Sequence, residues 1–165
     1  MKKLILAIFI LMIMAALAVT SFAADNKGLP EKCEHCGVSV TWTPLDSEQI
    51  RNQASLTTGH YYVAMEEDIH DSVVKKVEAD QNVCLYLNGK TIAGTTRAFN
   101  VKDGGTLNIM GEGKITGRGT TAGVDGACVL VEAGGTVNQY GGILTYVTHL
   151  QRHATNGGVV YTSGT

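Results

Sequence analysis

Two cysteines two residues apart, Cys33 and Cys36 in the run CEHCGVSVTWTPL, carry the most chemically suggestive spacing in this chain. Thiolates so placed grip one face of a tetrahedral ion, a structural zinc in the usual case, and need two further donors. No second Cys-x-x-Cys occurs. His35, between the two thiols, is too near in sequence to complete the tetrahedron comfortably, and His60 or Cys84 serves only if folding brings it close. The same spacing equally allows a local disulfide or free thiols. A thioredoxin-like redox role requires a β-α-β setting, which the flanking residues do not offer. Cys84 and Cys128 read as small apolar residues near the core.

Other polar residues fall into two groups. Asp103, Glu112, Asp125 and Glu132, with Lys102, Lys114 and Arg118 nearby, are the fallback candidates for acid–base work on a polysaccharide. They form no acidic pair, and Asp103 gives way to Ala133 thirty residues on, so they read as solvated turn residues and no catalytic residue is assigned. The motifs Gly-x-Ser-x-Gly, the phosphate loop and His-Glu-x-x-His are all missing. The insertion TYVTHLQRHATN, residues 145–156, carries the binding candidates Tyr146, His149, Arg152 and His153. His149 and His153, four apart, share a metal if the segment is helical and are solvated loop residues otherwise. Apart from structural zinc no cofactor is implied.

The elements that must position these residues follow a leader. Lys2 and Lys3 precede an apolar run from Leu4 to Val19, and Ser21 and Ala23 occupy the −3 and −1 positions of a signal-peptidase site. Cleavage after Ala23 is expected, with a secreted or cell-surface product and no membrane span once the leader is removed. Without Lys2 and Lys3 the chain carries eleven basic against fifteen acidic side chains, a net charge of −4. That balance argues against nucleic acid and anionic membrane as partners. Twenty glycines, two prolines and no low-complexity tract fit a glycine-punctuated β protein.

Residues 24–32 read as a flexible lead-in. Val38, Val40 and Trp42 alternate as on a half-buried strand that stops at Pro44, while 47–56 has room for one or two helical turns. HYYVAM reads as a strand, DIHDSVVKKVEAD fits either helix or strand period with its β-branched content favouring strand, and Val83, Leu85 and Leu87 alternate up to an Asn88-Gly89 turn, after which Ile92 resumes the apolar face. Tyr61 and Tyr62 are strand packing, with one of them facing outward.

A shift of thirty residues lays Phe99 on Val129, Val101 on Val131, Gly104-Gly105-Thr106 on Gly134-Gly135-Thr136, Leu107 on Val137 and Asn108 on Asn138. A third copy begins with Val160 and Gly164-Thr165 at a shift of about twenty-nine. A period of this length without helix-sized segments predicts a solenoid whose coils bury inward side chains against the coils above and below. Gln139, aligned with Ile109, breaks the apolar pattern. Either it lies near an open end or its coil is out of register.

The segments CEHCGVSVTWTPL, GHYYVAMEEDI, VCLYLNGKTIAG, VKDGGTLNIMGEGKITG, GGTVNQYGGIL and NGGVVYTSGT, in this order, resemble secreted, surface-associated proteins of Gram-positive gut bacteria with a pectin-lyase-like right-handed parallel β-helix. The likeness spans Cys33 to Thr165 and departs from the pattern at 145–156, where a short Gly-Asn turn is usual. It implies an all-β fold, a short right-handed parallel β-helix, and with the residue-level reading the chain divides into a signal peptide (1–23), a lead-in (24–32), a Cys-knuckle N-terminal cap (33–58) and coils (59–165). The chain ends as a third coil opens, so further coils or another chain are expected over that end. The functional expectation is a non-catalytic surface module contacting glycans or host surface. The alternatives are a polysaccharide-active enzyme or its remnant, and a structural spacer or fragment of a longer surface protein.

Overall fold

The structure, a computed structural model, describes residues 28–46, 53–64, 69–71, 74–94, 97–119, 126–148 and 157–163. The expected leader, together with Asp125, His149, Arg152 and His153, lies outside them, and Tyr146 is described for its backbone alone. Among the described residues every regular element is a strand. These are β1 (Thr43–Pro44), β2 (Ser55–Leu56), β3 (Gly59–Tyr62), β4 (Ile69–Asp71), β5 (Lys75–Val77), β6 (Asn82–Tyr86), β7 (Thr91–Gly94), β8 (Phe99–Val101), β9 (Thr106–Met110), β10 (Lys114–Gly119), β11 (Gly126–Glu132), β12 (Thr136–Gln139), β13 (Ile143–Thr148) and β14 (Gly157–Ser163).

They form three parallel sheets, ordered β1-β3-β6-β9-β12, β13-β10-β7-β4 and β14-β11-β8-β5-β2. Chain neighbours therefore belong to different sheets, and each strand pairs with one a full tier away. From β3 to β11 the chain thus makes three tiers of three strands, and β12 to β14 form a fourth. The thirty-residue register holds where it was expected, with Phe99 opposite Val129, Leu107 opposite Val137 and Asn108 opposite Asn138. Earlier tiers are shorter: Val83 pairs with Leu107 and Lys75 with Phe99, twenty-four residues on. The lengthening falls between β10 and β11. The last tier is offset further than the sequence suggested, since Val160 pairs with Val129, a shift of thirty-one.

Period-two alternation explains the core. Val83, Leu85, Leu107 and Ile109 point inward from the first sheet to meet Ile92 and Ile115 of the second and Phe99, Val101 and Val129 of the third. All but Ile92 are fully buried. Turns between sheets need backbone that few residues adopt cheaply: Asn88 and Gly89 have φ of 54° and 70°, and Gly104 and Gly134 have 74° and 79°. Asn88 steadies its corner by donating from Nδ2 to the Val63 carbonyl at 3.0 Å.

Gln139 keeps its register opposite Ile109, so its coil is not out of register. Among the described residues β12 is the last strand of its sheet, and the amide is exposed and donates to the Gly142 carbonyl at 2.9 Å. At the corner shared by the second and third of these tiers Lys102 Nζ meets Glu132 Oε1 at 2.5 Å, and this hydrogen bond holds the Glu132 carboxyl below its usual pKa. A carboxylate with a depressed folded-state pKa adds stability above the ordinary carboxylate range and loses it as pH falls through the lowered value. Lys102→Met is therefore expected to cost under about 1 kcal/mol at neutral pH, since both side chains are partly exposed. Denaturant midpoints measured down to acid pH should converge with those of the parent chain.

Around the knuckle the outcome differs from the sequence expectation. Val38 is 53% exposed, Ser39 makes only an isolated antiparallel bridge to Lys32, and the paired strand is Thr43–Pro44, Pro44 included. Pro44 is tolerated because β1 is an edge strand, where its missing N–H is not needed on the open side. Ser55–Leu56, where helical turns had room, is strand. Residues 28–42 do not sit over an end of the sheets but form a strap along the outward face of the first one. Leu29, Cys33, Val40 and Trp42 build a second apolar cluster there with Tyr62, Cys84, Tyr86 and Met110. Residues 28–32, at the end of the expected lead-in, are tied down, since Trp42 Nε1 donates to the Pro30 carbonyl at 2.7 Å. Tyr62 does face outward from its strand, but the strap covers it and leaves it 5% exposed.

Candidate metal centre

The knuckle is built by its glycine. Gly37, at φ 69°, donates its N–H to the Cys33 carbonyl at 2.8 Å, and Cys33 donates its own to the Val38 carbonyl at 3.0 Å. The loop so closed turns the backbone N–H groups of Cys36 and His35 onto the Cys33 sulfur. Burial alone would push the Cys33 thiol pKa up. Those two N–H groups, with the Cys36 and Cys84 thiols, outweigh burial and bring it below its ordinary value.

The strap carries this knuckle across four strands. Cys36 Sγ lies 3.4 Å from His60 Nε2 on β3, and the Cys33 thiol points at Met110 Sδ on β9 at 3.9 Å. His35 does not turn inward. Its Nδ1 meets the Tyr140 hydroxyl just beyond β12 at 2.8 Å, the two rings 5.5 Å apart. The donor atoms of Cys33, Cys36 and His60 all lie within 4.8 Å of one another. Ligands around tetrahedral zinc are about 3.5–3.8 Å apart, given Zn–S near 2.3 Å and Zn–N near 2.0 Å. The three donors are thus within about 1 Å of ligating spacing, and this group has the geometry to hold a metal ion.

The electrostatics suit a neutral imidazole beside thiolates. Burial lowers the His60 pKa, and repulsion from His35 lowers it further, so the ring keeps its lone pair at neutral pH. Trp42 packs against His60 with the ring planes near perpendicular and the centroids 5.7 Å apart, and brings apolar surface beside the donors. Among the described residues no disulfide forms, and Cys33 and Cys36 are thiols. Cys128 is fully buried in the inner core, its pKa pushed up to about 11 by burial, as an inert core thiol should be.

The remaining sequence candidates are not gathered into a site. Asp103 and Glu112 are exposed in the turns at opposite ends of β9, a strand about 17 Å long. Glu132 is engaged by Lys102 and by Asn100 Nδ2 at 3.4 Å. Two features of the outward face lie outside these candidates. One is Tyr140, 52% exposed beside His35, with Ile143 57% exposed nearby in the chain. The other is an amide ladder in which Asn138 Nδ2 donates to Asn108 Oδ1 at 2.9 Å and Asn108 Nδ2 to Asn82 Oδ1 at 2.7 Å. The Asn108–Asn138 alignment was the available signal for that ladder.

No protein-family model, curated protein or solved structure matches this chain. Among the described residues no helix is long and apolar enough to cross a membrane.

Proposed function

We propose that this chain is a non-catalytic extracellular module: a short, pectin-lyase-like right-handed parallel β-helix, exported by its leader, that contacts glycans or a host surface. A structural zinc at Cys33, Cys36 and His60 fastens its strap. The observation that carries this reading is where the polar side chains between tiers are used. Asn82, Asn108 and Asn138 bond to one another across three strands of the first sheet, and Lys102 bonds to Glu132 across two of the third-sheet corners. Groups tied into such ladders hold a scaffold together and are not poised to move protons. The exposed Tyr140 ring, steadied by His35, supports the binding half of the reading, because an aromatic face held in place stacks on a sugar at low entropic cost.

The test is a pull-down of the chain from Ala24 onward on insoluble plant, mucin and cell-wall polysaccharides, with the supernatant assayed for released sugar. Retention without release is the expected result. Tyr140→Ala should weaken it about 3- to 10-fold, the worth of one aromatic contact. Tyr146, Arg152 and His153 are the next residues to replace. Released sugar would turn attention to Asp103, Glu112, Asp125 and Glu132, and folded protein with neither retention nor release would favour a structural spacer.

A further inference from the structure

We propose that Cys84 is the fourth ligand of the metal centre, closing it as a three-thiolate, one-imidazole site that joins the strap to two adjacent strands. The inference rests on the zinc reading of Cys33, Cys36 and His60. In the parallel ladder of β3 and β6, His60 stands directly opposite Cys84. Register partners in neighbouring strands point the same way about 4.8 Å apart, so both side chains emerge beneath the strap. The Cys84 thiol is buried there in one apolar cluster with Cys33, Trp42, Tyr62 and Met110.

Cys84 Sγ is not within 4.8 Å of all three other donors, and rotation about its Cα–Cβ bond is what an ion has to draw from it. Binding transfers one proton from each of three thiols to solvent and changes no oxidation state. The resulting site carries one net negative charge, which needs donors, and they are in place. The backbone N–H groups of His35 and Cys36 point at the Cys33 sulfur, and Asn108 Nδ2 reaches Cys84 Sγ at 3.8 Å. Asn108 is itself fixed by Asn82 and by the Val83 carbonyl at 3.3 Å. With protein atoms in all four positions the metal has no vacancy for water, which distinguishes a structural from a catalytic zinc.

The test loads the full chain with Co(II), compares it with Cys84→Ser and Cys128→Ser, and records X-ray absorption of the zinc-loaded parent chain. One tetrahedral ion per chain is expected, with three sulfur and one nitrogen neighbours. Cys84→Ser should reduce the thiolate-to-cobalt band to about two-thirds and the zinc affinity by at least about 100-fold, whereas Cys128→Ser leaves both unchanged. Two sulfur neighbours in the parent chain, or a Cys84→Ser protein with parental band and affinity, overturns the role of Cys84 while leaving the three-residue zinc reading intact. A parent chain that takes up no stoichiometric metal overturns both. The absorption measurement needs no variant, so a poorly folding Cys84→Ser protein does not shield the proposal.

Discussion

Leu107→Ala is expected to cost about 3–4 kcal/mol and Val137→Ala about 1 kcal/mol or less, although the two residues occupy the same register position one tier apart. Leu107 is fully buried, with Val83 on one side and Val137 on the other. Removing its side chain leaves a cavity between two tiers that backbone hydrogen bonds hold at fixed spacing, so the walls cannot collapse to fill it. Val137 is half-buried and sits in β12, which among the described residues pairs with β9 alone. Truncation there removes contacts without enclosing a void. Urea denaturation of both variants measures the difference directly. Equal losses would mean that β12 is covered as deeply as β9, contrary to the burial seen here.

The same positional logic explains what was legible in the sequence. Alternation and paired glycines report local conformation. Where the Gly-Gly-Thr run recurs at thirty, the register between β8 and β11 and between β9 and β12 could be read directly. The twenty-four-residue spacing of the preceding tiers was missed. Leu85 matches Ile109 and Tyr86 matches Met110 in character alone, and the corner after β6 is one residue longer than its counterpart after β9, which blurs the repeat. The knuckle was visible as a motif, but its location was not. Val38, Val40 and Trp42 show the spacing of a strand, and only the contacts of Cys33 with β9 and of His35 beyond β12 reveal a strap lying across the sheet. His60 and Cys84 could be recognised as partners only after the register of β3 on β6 was known, because twenty-four residues separate them in the chain.

Removing the proposed zinc is expected to free the strap while leaving the tiers folded. A ligand that binds only the fastened state stabilises it by RT ln(1 + [L]/Kd), about 4 kcal/mol when free zinc is a thousand times its dissociation constant. A strong chelator withdraws that term. What remains to hold residues 28–42 is the outer cluster around Trp42, Tyr62 and Met110, which shares no residue with the inner core of Val83, Leu85, Phe99 and Leu107. The two clusters lie on opposite faces of one sheet, so the outer can open without emptying the inner. Trp42 is the chain's one tryptophan and is 3% exposed, bonded to Pro30 and packed on His60 and Tyr86. Chelation should therefore shift its emission to the red and expose it to quencher, while the far-ultraviolet β signal persists and zinc restores the original spectrum. If the Trp42 spectrum stays the same after verified metal loss, apolar packing alone holds the strap and the ion has no fastening role. If the β signal collapses together with the fluorescence, strap and tiers form a single cooperative unit, and the outer cluster belongs to the folding core.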